Sequence, residues 1–505
     1  MQSADVNAVQ GARFDLALLG QAWRGPDASQ KVVAAGGRVH MGHNRLSIID
    51  PGPRSDQPMR SKCGNYILLY NGEVYNFRQL RNELHLECRS DSDSEVVLEG
   101  FAAIGPKIVE KLEGMFAFVI YDIALNEWFS ARDRLGIKPL FMCESSRATL
   151  IASEAATIAR LLEAPFDEES FAEWEMVRRP VPGFTFFSGV REHLPGTWRK
   201  SVEPSAQSYW VLRASHGQFD QAEFENLLTQ SVESHDYSDV QNVAFLSGGL
   251  DSAVIAALSN VQRCYCVGLD TNNEIAAARE TAAELNKELC SLVVTKEELV
   301  EAWVELTKMR GEPLSVPNEG LIYLACKRME PGEKVILSGE GADEILFGYD
   351  RIFSWALDGI WRGAEDFLLR YGYHTPTNTP RRLVDYLETE RLDKELHEFA
   401  EDFFLKVHLG CLLRRLDFAS MAASKEARVP FLDRKIVEYV FRKPPSIKLS
   451  EGISKRPLRV FASKLGLTSA LTRNKVGFSA AAFAGGPRFE EYQHFRSTVL
   501  GALEW

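Results

Sequence analysis

From about residue 221 the chain sets up an alternation that few folds can absorb. Helix-like stretches and short apolar runs take turns: Ala222–Ser234 precedes Asn242–Leu246, and Ala253–Ser259 precedes Cys264–Val267. Glu274–Asn286 then precedes Leu289–Val294, and Asn318–Arg328 precedes Lys334–Leu337. Strands separated by helices predict right-handed crossovers and a parallel sheet. Such a sheet takes ligands in the crevice beyond the carboxyl ends of its strands. The three most unusual loops of this stretch fall at that edge. They are Ser247-Gly248-Gly249-Leu250-Asp251-Ser252, Gly268-Leu269-Asp270 and Ser338-Gly339-Glu340-Gly341-Ala342-Asp343-Glu344. Beyond residue 355 the pattern predicts helices and no strand.

Each loop has a chemical use and a plainer alternative. In the first, two glycines let the backbone approach an anion. The following helix offers its amino-terminal N–H groups to phosphate, and Ser247 and Ser252 add hydroxyls. Asp251 would repel phosphate unless a cation intervenes, which suggests a Mg2+ ligand. A lone Ser-Gly-Gly is more often a turn; the full six-residue run between strand and helix is more specific. No G-x-x-x-x-G-K-[ST] motif occurs. The loop from Ser338 to Glu344 carries three acids, and its plain reading is a solvated turn. At a strand end facing a phosphate loop, acids hold metal or take protons. Asp251 and Asp343 are therefore the expected Mg2+ ligands, and Glu340 the expected base toward an attacking amine.

The amino-terminal part has a different rhythm. Val39–His43 leads into Leu46–Ile49, then Tyr66–Tyr70 and Ala117–Tyr121 follow, with turns such as Pro51-Gly52-Pro53 and helices over Ser94–Ile104 and Pro106–Leu112. This predicts an α+β unit of mostly paired strands. The polar stretch Lys200–Asp220 marks the boundary, giving units at 1–210 and 221–505 of the 505 residues. A hydrophobic share of 45% excludes a mostly disordered chain, and a formal charge of -12 argues against a nucleic-acid surface. No apolar run approaches the roughly 20 residues of a membrane span. Neither a secretory signal nor a C-x-x-C pair is present, so the eight cysteines read as thiols of a reducing cytoplasm.

Leu246–Ser252 resembles the pyrophosphate loop of the N-type ATP pyrophosphatases, and Ser338–Tyr349 resembles the second signature of the asparagine synthetase family. Leu413–Asp417, Ser424–Asp433, Ile453–Arg459 and Arg473–Phe478 match that family in order, so the likeness runs from about residue 20 to 480. It implies an Ntn-like glutaminase-type sandwich, then a PP-loop α/β domain with a helical extension. It also implies ATP with Mg2+, activation of a carboxylate as acyl-adenylate, and release of AMP and pyrophosphate when ammonia or an amine attacks. By the same likeness ATP would contact Leu246, Ser247, Gly248, Gly249, Asp251 and Ser252. Val267, Gly268, Ser338, Gly339 and Gly341 complete that set. Lys455 would steady the adenylate; its plain alternative is a surface lysine.

The amino-terminal half is similar to the family's glutaminase domain through Arg24–Asp27, Arg45–Asp50, Asn71–Asn76 and Ser92–Glu95. By resemblance Arg45, Asn71, Gly72, Glu73 and Asp93 would line a glutamine pocket. Glutaminases of this family begin Met-Cys-Gly, and the cysteine is the nucleophile. Here residue 2 is Gln and the first cysteine is Cys63. The expectation is an amide synthetase with an inactive, vestigial glutaminase half. The acceptor is a small-molecule or peptide carboxylate, and the nitrogen comes from ammonia, glutamine-derived ammonia or an amine. β-Lactam synthetases also lack the cysteine but carry Tyr where Glu340 stands. An asparagine synthetase truncated at its start and a non-catalytic scaffold are the alternatives. The family also suggests a homodimer.

Overall fold

A computed structural model describes residues 3–145, 148–214, 217–271, 273–372, 378–473 and 488–503, excepting the side chains of 3–10 and 488–491. The amino-terminal half is built on a six-stranded antiparallel sheet. Its order is Gln207–Ser208, Thr197–Lys200, Glu127–Arg132, Gly114–Asp122, Tyr66–Val74 and Met59–Arg60. The central pair runs in register from Tyr66 opposite Asp122 to Val74 opposite Gly114. Leu68, Tyr70, Phe116, Phe118 and Ile120 turn one face inward, as period-two alternation requires. Helices Phe77–Glu83 and Asp93–Ile104 cover that face with Phe77, Leu80, Val96 and Val97. Ser92 caps the second helix by accepting the Glu95 N–H.

One local expectation changes. Leu46–Ile49 forms no strand; the strand before it, Val39–Arg45, pairs only with Ala28–Ala34. The polar opening belongs to a helix, Ser3–Leu19, and Leu18 and Phe14 of that helix pack on Gly42.

The second half carries the predicted parallel sheet. Its order is Glu288–Val294, Arg263–Leu269, Gln241–Phe245, Glu333–Leu337 and Glu426–Arg428. The first strand in sequence sits between the second and the fourth, so the strand order reverses there. This is the switch point at which such sheets open a crevice. Arg263–Leu269 is buried along almost its whole length, as a parallel strand covered on both faces must be. The fifth strand corrects the expectation of none beyond 355. Glu426-Ala427-Arg428 has three residues and two charges, so no apolar pattern marks it.

Residues 141–192 add a small sheet and two helices, Ala155–Leu162 and Glu168–Val177. Their Phe141, Ile158, Trp174 and Phe186 join the same apolar core as the parallel sheet. The remaining carboxyl-terminal elements among the described residues are mainly helical. Leu409–Ala422 is the most buried of the long ones, although it carries Arg414, Arg415 and Asp417. No described helix is long and apolar enough to cross a membrane.

Candidate active site

The first and third rim loops meet at the switch point. Helix Leu250–Leu258 starts directly after Gly249, and Gly249 supplies no side-chain cap. The loop is braced by its own hydroxyls: the Gly249 N–H donates to Ser247 Oγ at 3.0 Å and the Ser247 N–H to Ser252 Oγ at 3.0 Å. Gly339 of the third loop lies on this first turn. A Cβ there would stand 2.8 Å from Ser252 N and 2.9 Å from the Asp251 carbonyl carbon, which no side chain tolerates. Leu246 and Val267 bury their side chains in the core and so offer none to the crevice.

Lys455 joins the two loops. Its Nζ donates to Asp251 at 2.7 and 2.6 Å and lies 2.6 Å from Asp343 Oδ1. The residue holds a left-handed backbone at the start of helix Arg456–Lys464 and is buried. Gly348 makes room for it, since a Cβ there would overlap Asp343 Oδ1 and the Lys455 stem. Burial opposes the lysine charge, but Asp251 and Asp343 outweigh it and hold the ammonium protonated. Two carboxylates gripping one cation are a fitting donor set for Mg2+, which binds through one or two carboxylates plus phosphate oxygens. No cluster of three or more metal-ligating side chains occurs among the described residues.

Glu340 is fixed from the opposite side. Arg415 Nη2 grips its Oε2, and Arg415 Nη1 donates to Asn318 Oδ1 at 3.1 Å. The sequence places Arg415 inside a family motif without marking a role for it. The local signal is a pair of arginines in a mainly apolar helix that is almost wholly buried.

Next to this pair, Glu344 Oε1 accepts the Tyr349 hydroxyl at 2.6 Å, and Tyr349 meets His408 Nε2 at 2.8 Å. Burial, then Glu340 and then Asp343 push the Glu344 carboxyl up to about 8 from an ordinary 4.5. A raised carboxyl pKa stabilises the fold below the unfolded value and loses that contribution as pH climbs to the folded value. In Mg2+-free protein the Glu344 contribution is therefore expected to be lost between about pH 4.5 and about 8. Glu344→Gln should flatten this slope in urea titrations across that range; an unchanged slope would refute the assignment.

Of the amino-terminal candidates, Arg45, Glu73 and Asp93 are committed to protein partners, whereas Asn71 Nδ2 is buried with no hydrogen-bond partner among the described residues. Arg45 donates to Gly52 O at 2.9 Å, Asp56 at 2.8 Å, Asp50 O at 2.7 Å and Ile49 O at 3.2 Å. Asp93 accepts the Tyr70 hydroxyl at 2.5 Å and the Val74 N–H at 3.0 Å. Asn71 and Gly72 sit mid-strand opposite Ala117 and Phe116. Glu73 is buried and accepts from Arg428 Nη2 at 2.8 Å. Burial and then Asp93 raise its pKa, against Arg428.

Arg428 ties the two candidate sites together. Its side chain holds Glu73, while its carbonyl accepts the Ser338 N–H at 2.9 Å. Further buried ion pairs extend this seam. Arg24 reaches Glu154 at 2.6 Å and Asp417 at 2.9 Å, and Lys138 lies 3.4 Å from both Asp417 and Glu426. Of the motif Arg473–Phe478, residues 474–478 lie outside the described residues.

Comparison with known proteins follows the same division. Residues 5–210 match the family described as a glutamine amidotransferase domain, and residues 223–501 match asparagine synthase. A Mycobacterium bovis protein named "Putative asparagine synthetase (glutamine-hydrolyzing)" is 30% identical, covering 90% of this chain and 82% of the relative. "Asparagine synthetase (glutamine-hydrolyzing) 1" of Bacillus subtilis is 28% identical over 87% of this chain and 79% of its own length. "Asparagine synthetase B" of Escherichia coli is 27% identical over 84% and 71%.

Proposed function

The chain belongs to the asparagine synthetase family, and on that premise we propose that it is an AMP-forming amide synthetase that joins a carboxylate to ammonia or an amine. As a member it is a ligase-type amidotransferase. The observation that carries the finer reading is Lys455 held by both Asp251 and Asp343 beside the Ser247–Ser252 loop.

Residues 221–505 form the synthetase unit, and residues 1–210 the glutaminase-like unit. The Ser247–Ser252 loop and its helix start bind the triphosphate of ATP. Asp251 and Asp343 would hold Mg2+, which would supply charge neutralisation along the phosphates. A carboxylate oxygen attacks the α-phosphorus, and the bond to pyrophosphate breaks. Lys455, once its carboxylates are engaged elsewhere, stabilises the negative charge of the adenylate. The amine nitrogen then attacks the acyl carbon, the bond to AMP breaks, and Glu340, oriented by Arg415, accepts the proton lost by nitrogen.

The glutaminase half is inactive in this reading. Its support is that Arg45 is bonded to Asp56 and three carbonyls, and that Glu73 is committed to Arg428. Nitrogen therefore arrives as free ammonia or an amine rather than from glutamine bound here.

Product analysis tests the proposal. A panel of carboxylic acids with ATP, Mg2+ and ammonia should release AMP and pyrophosphate, with glutamine run in parallel. Asp251→Asn should lower pyrophosphate release by roughly a hundredfold or more. ADP as product, or full turnover by Asp251→Asn, would overturn the assignment.

A further inference from the structure

Away from the rim, a cavity of about 50 Å³ lies at the junction of the two halves. Its lining is strongly basic on a chain whose net charge is -12. Arg132, Arg178, Arg179, Arg310 and Arg414 face it, and only Glu192 and Glu312 answer them from the same wall. Each of these acids is shared. Glu192 takes Arg132 at 2.9 Å and Arg179 at 2.5 Å. Glu312 Oε1 takes Arg310 at 2.9 Å and Arg414 at 3.0 Å. Arg310 and Arg414 also reach Glu319 and Glu154, which stand outside the lining. Arg132 is further taken by the carbonyls of Lys138, His193 and Gly136, so the unmet donors of the lining lie on Arg414. Arg414 Nε and Nη1 are buried and have no hydrogen-bond partner among the described residues. A buried donor without a partner is costly, and a ligand oxygen relieves it.

The backbone is shaped for these side chains. Helix Leu409–Ala422 presents Gly410 to the cavity, and a Cβ there would overlap Arg179 Nη1. Phe141, Phe186 and Pro139 close the wall with apolar surface, which strengthens charge interactions inside it. The volume sets the size of the guest. One water needs about 10–15 Å³ of such space, so there is room for one small ion and none for a nucleotide. Planar guanidiniums match oxyanions geometrically.

We propose that this cavity binds one small oxyanion, of the charge and shape of inorganic phosphate, through Arg414 and Arg179. The site is separate from the nucleotide rim. It is nonetheless one residue away from it, because Arg415, next to Arg414, holds Glu340.

Calorimetric titration of the full chain with inorganic phosphate at constant ionic strength tests this. Saturable binding is expected, persisting in Ser247→Ala and weakening roughly tenfold or more in Arg179→Gln. Gly410→Ala, which favours the helix but displaces the Arg179 guanidinium, should weaken binding in the same direction; it decides the matter should Arg179→Gln fail to fold. An adventitious anion at the nucleotide loop would give the opposite pattern, lost in Ser247→Ala and kept in Arg179→Gln. That pattern, an absence of saturable binding, or unchanged affinity in Gly410→Ala would overturn the proposal.

Discussion

Lys455→Met is expected to cut ATP-dependent pyrophosphate release by roughly a hundred- to a thousandfold, and to make stability depend on Mg2+. The lysine grips Asp251 and Asp343 at once. Without it two carboxylates share the crevice uncompensated, and one must take a proton or repel the other. Breaking an enclosed ion pair costs about 3–5 kcal/mol. These carboxylates keep 18% and 19% of their exposure, so a loss nearer about 2–3 kcal/mol is expected. Millimolar Mg2+ replaces the missing charge and should restore most of it. Urea midpoints with and without Mg2+ read this directly. Wild-type pyrophosphate output, or a midpoint indifferent to Mg2+, would sink the idea.

The second large effect belongs to Arg428→Met. The guanidinium is fully buried, pairs with Glu73 and Glu426, and donates to the carbonyls of His235 at 2.9 Å and Tyr237 at 2.6 Å. Removing it leaves two buried acids, Glu73 and Glu426, and two carbonyls without this donor, so about 3–5 kcal/mol of stability should go. Adding Glu73→Gln should recover part of the loss, because the Glu73 charge is then gone. Denaturation of the two single variants and the double variant measures the coupling. Additive losses would show that the pair does not bind the halves together.

Much of the rim is legible in the amino-acid order alone. Strand–helix alternation places the Ser247 and Ser338 loops on one edge, because a parallel sheet leaves its βα loops nowhere else to go, whereas Gly268 and Leu269, expected in a loop, are the last residues of the strand Arg263–Leu269. The glycines and acids of those loops are strong local signals. What stays hidden depends on long-range pairing. Lys455 is more than two hundred residues from Asp251, and no periodicity links them. The Glu426–Arg428 strand is too short and too charged to read as buried. The helix Ser3–Leu19 opens on a polar stretch that matches no element pattern. The ion pairs of Arg24, Lys138 and Asp417 are likewise invisible locally, since each charge looks like a surface residue until its partner is found.

The three-residue strand ending at Arg428 has a consequence for anyone building chimeras. It is hydrogen-bonded into one half and hands its side chain to the other. A front half grafted from a relative would dock only if it brought an acid to the place of Glu73. A neutral graft would leave the guanidinium with Glu426 but without its acid across the seam, so compatibility between donors can be screened at that single coordinate before any gene is assembled.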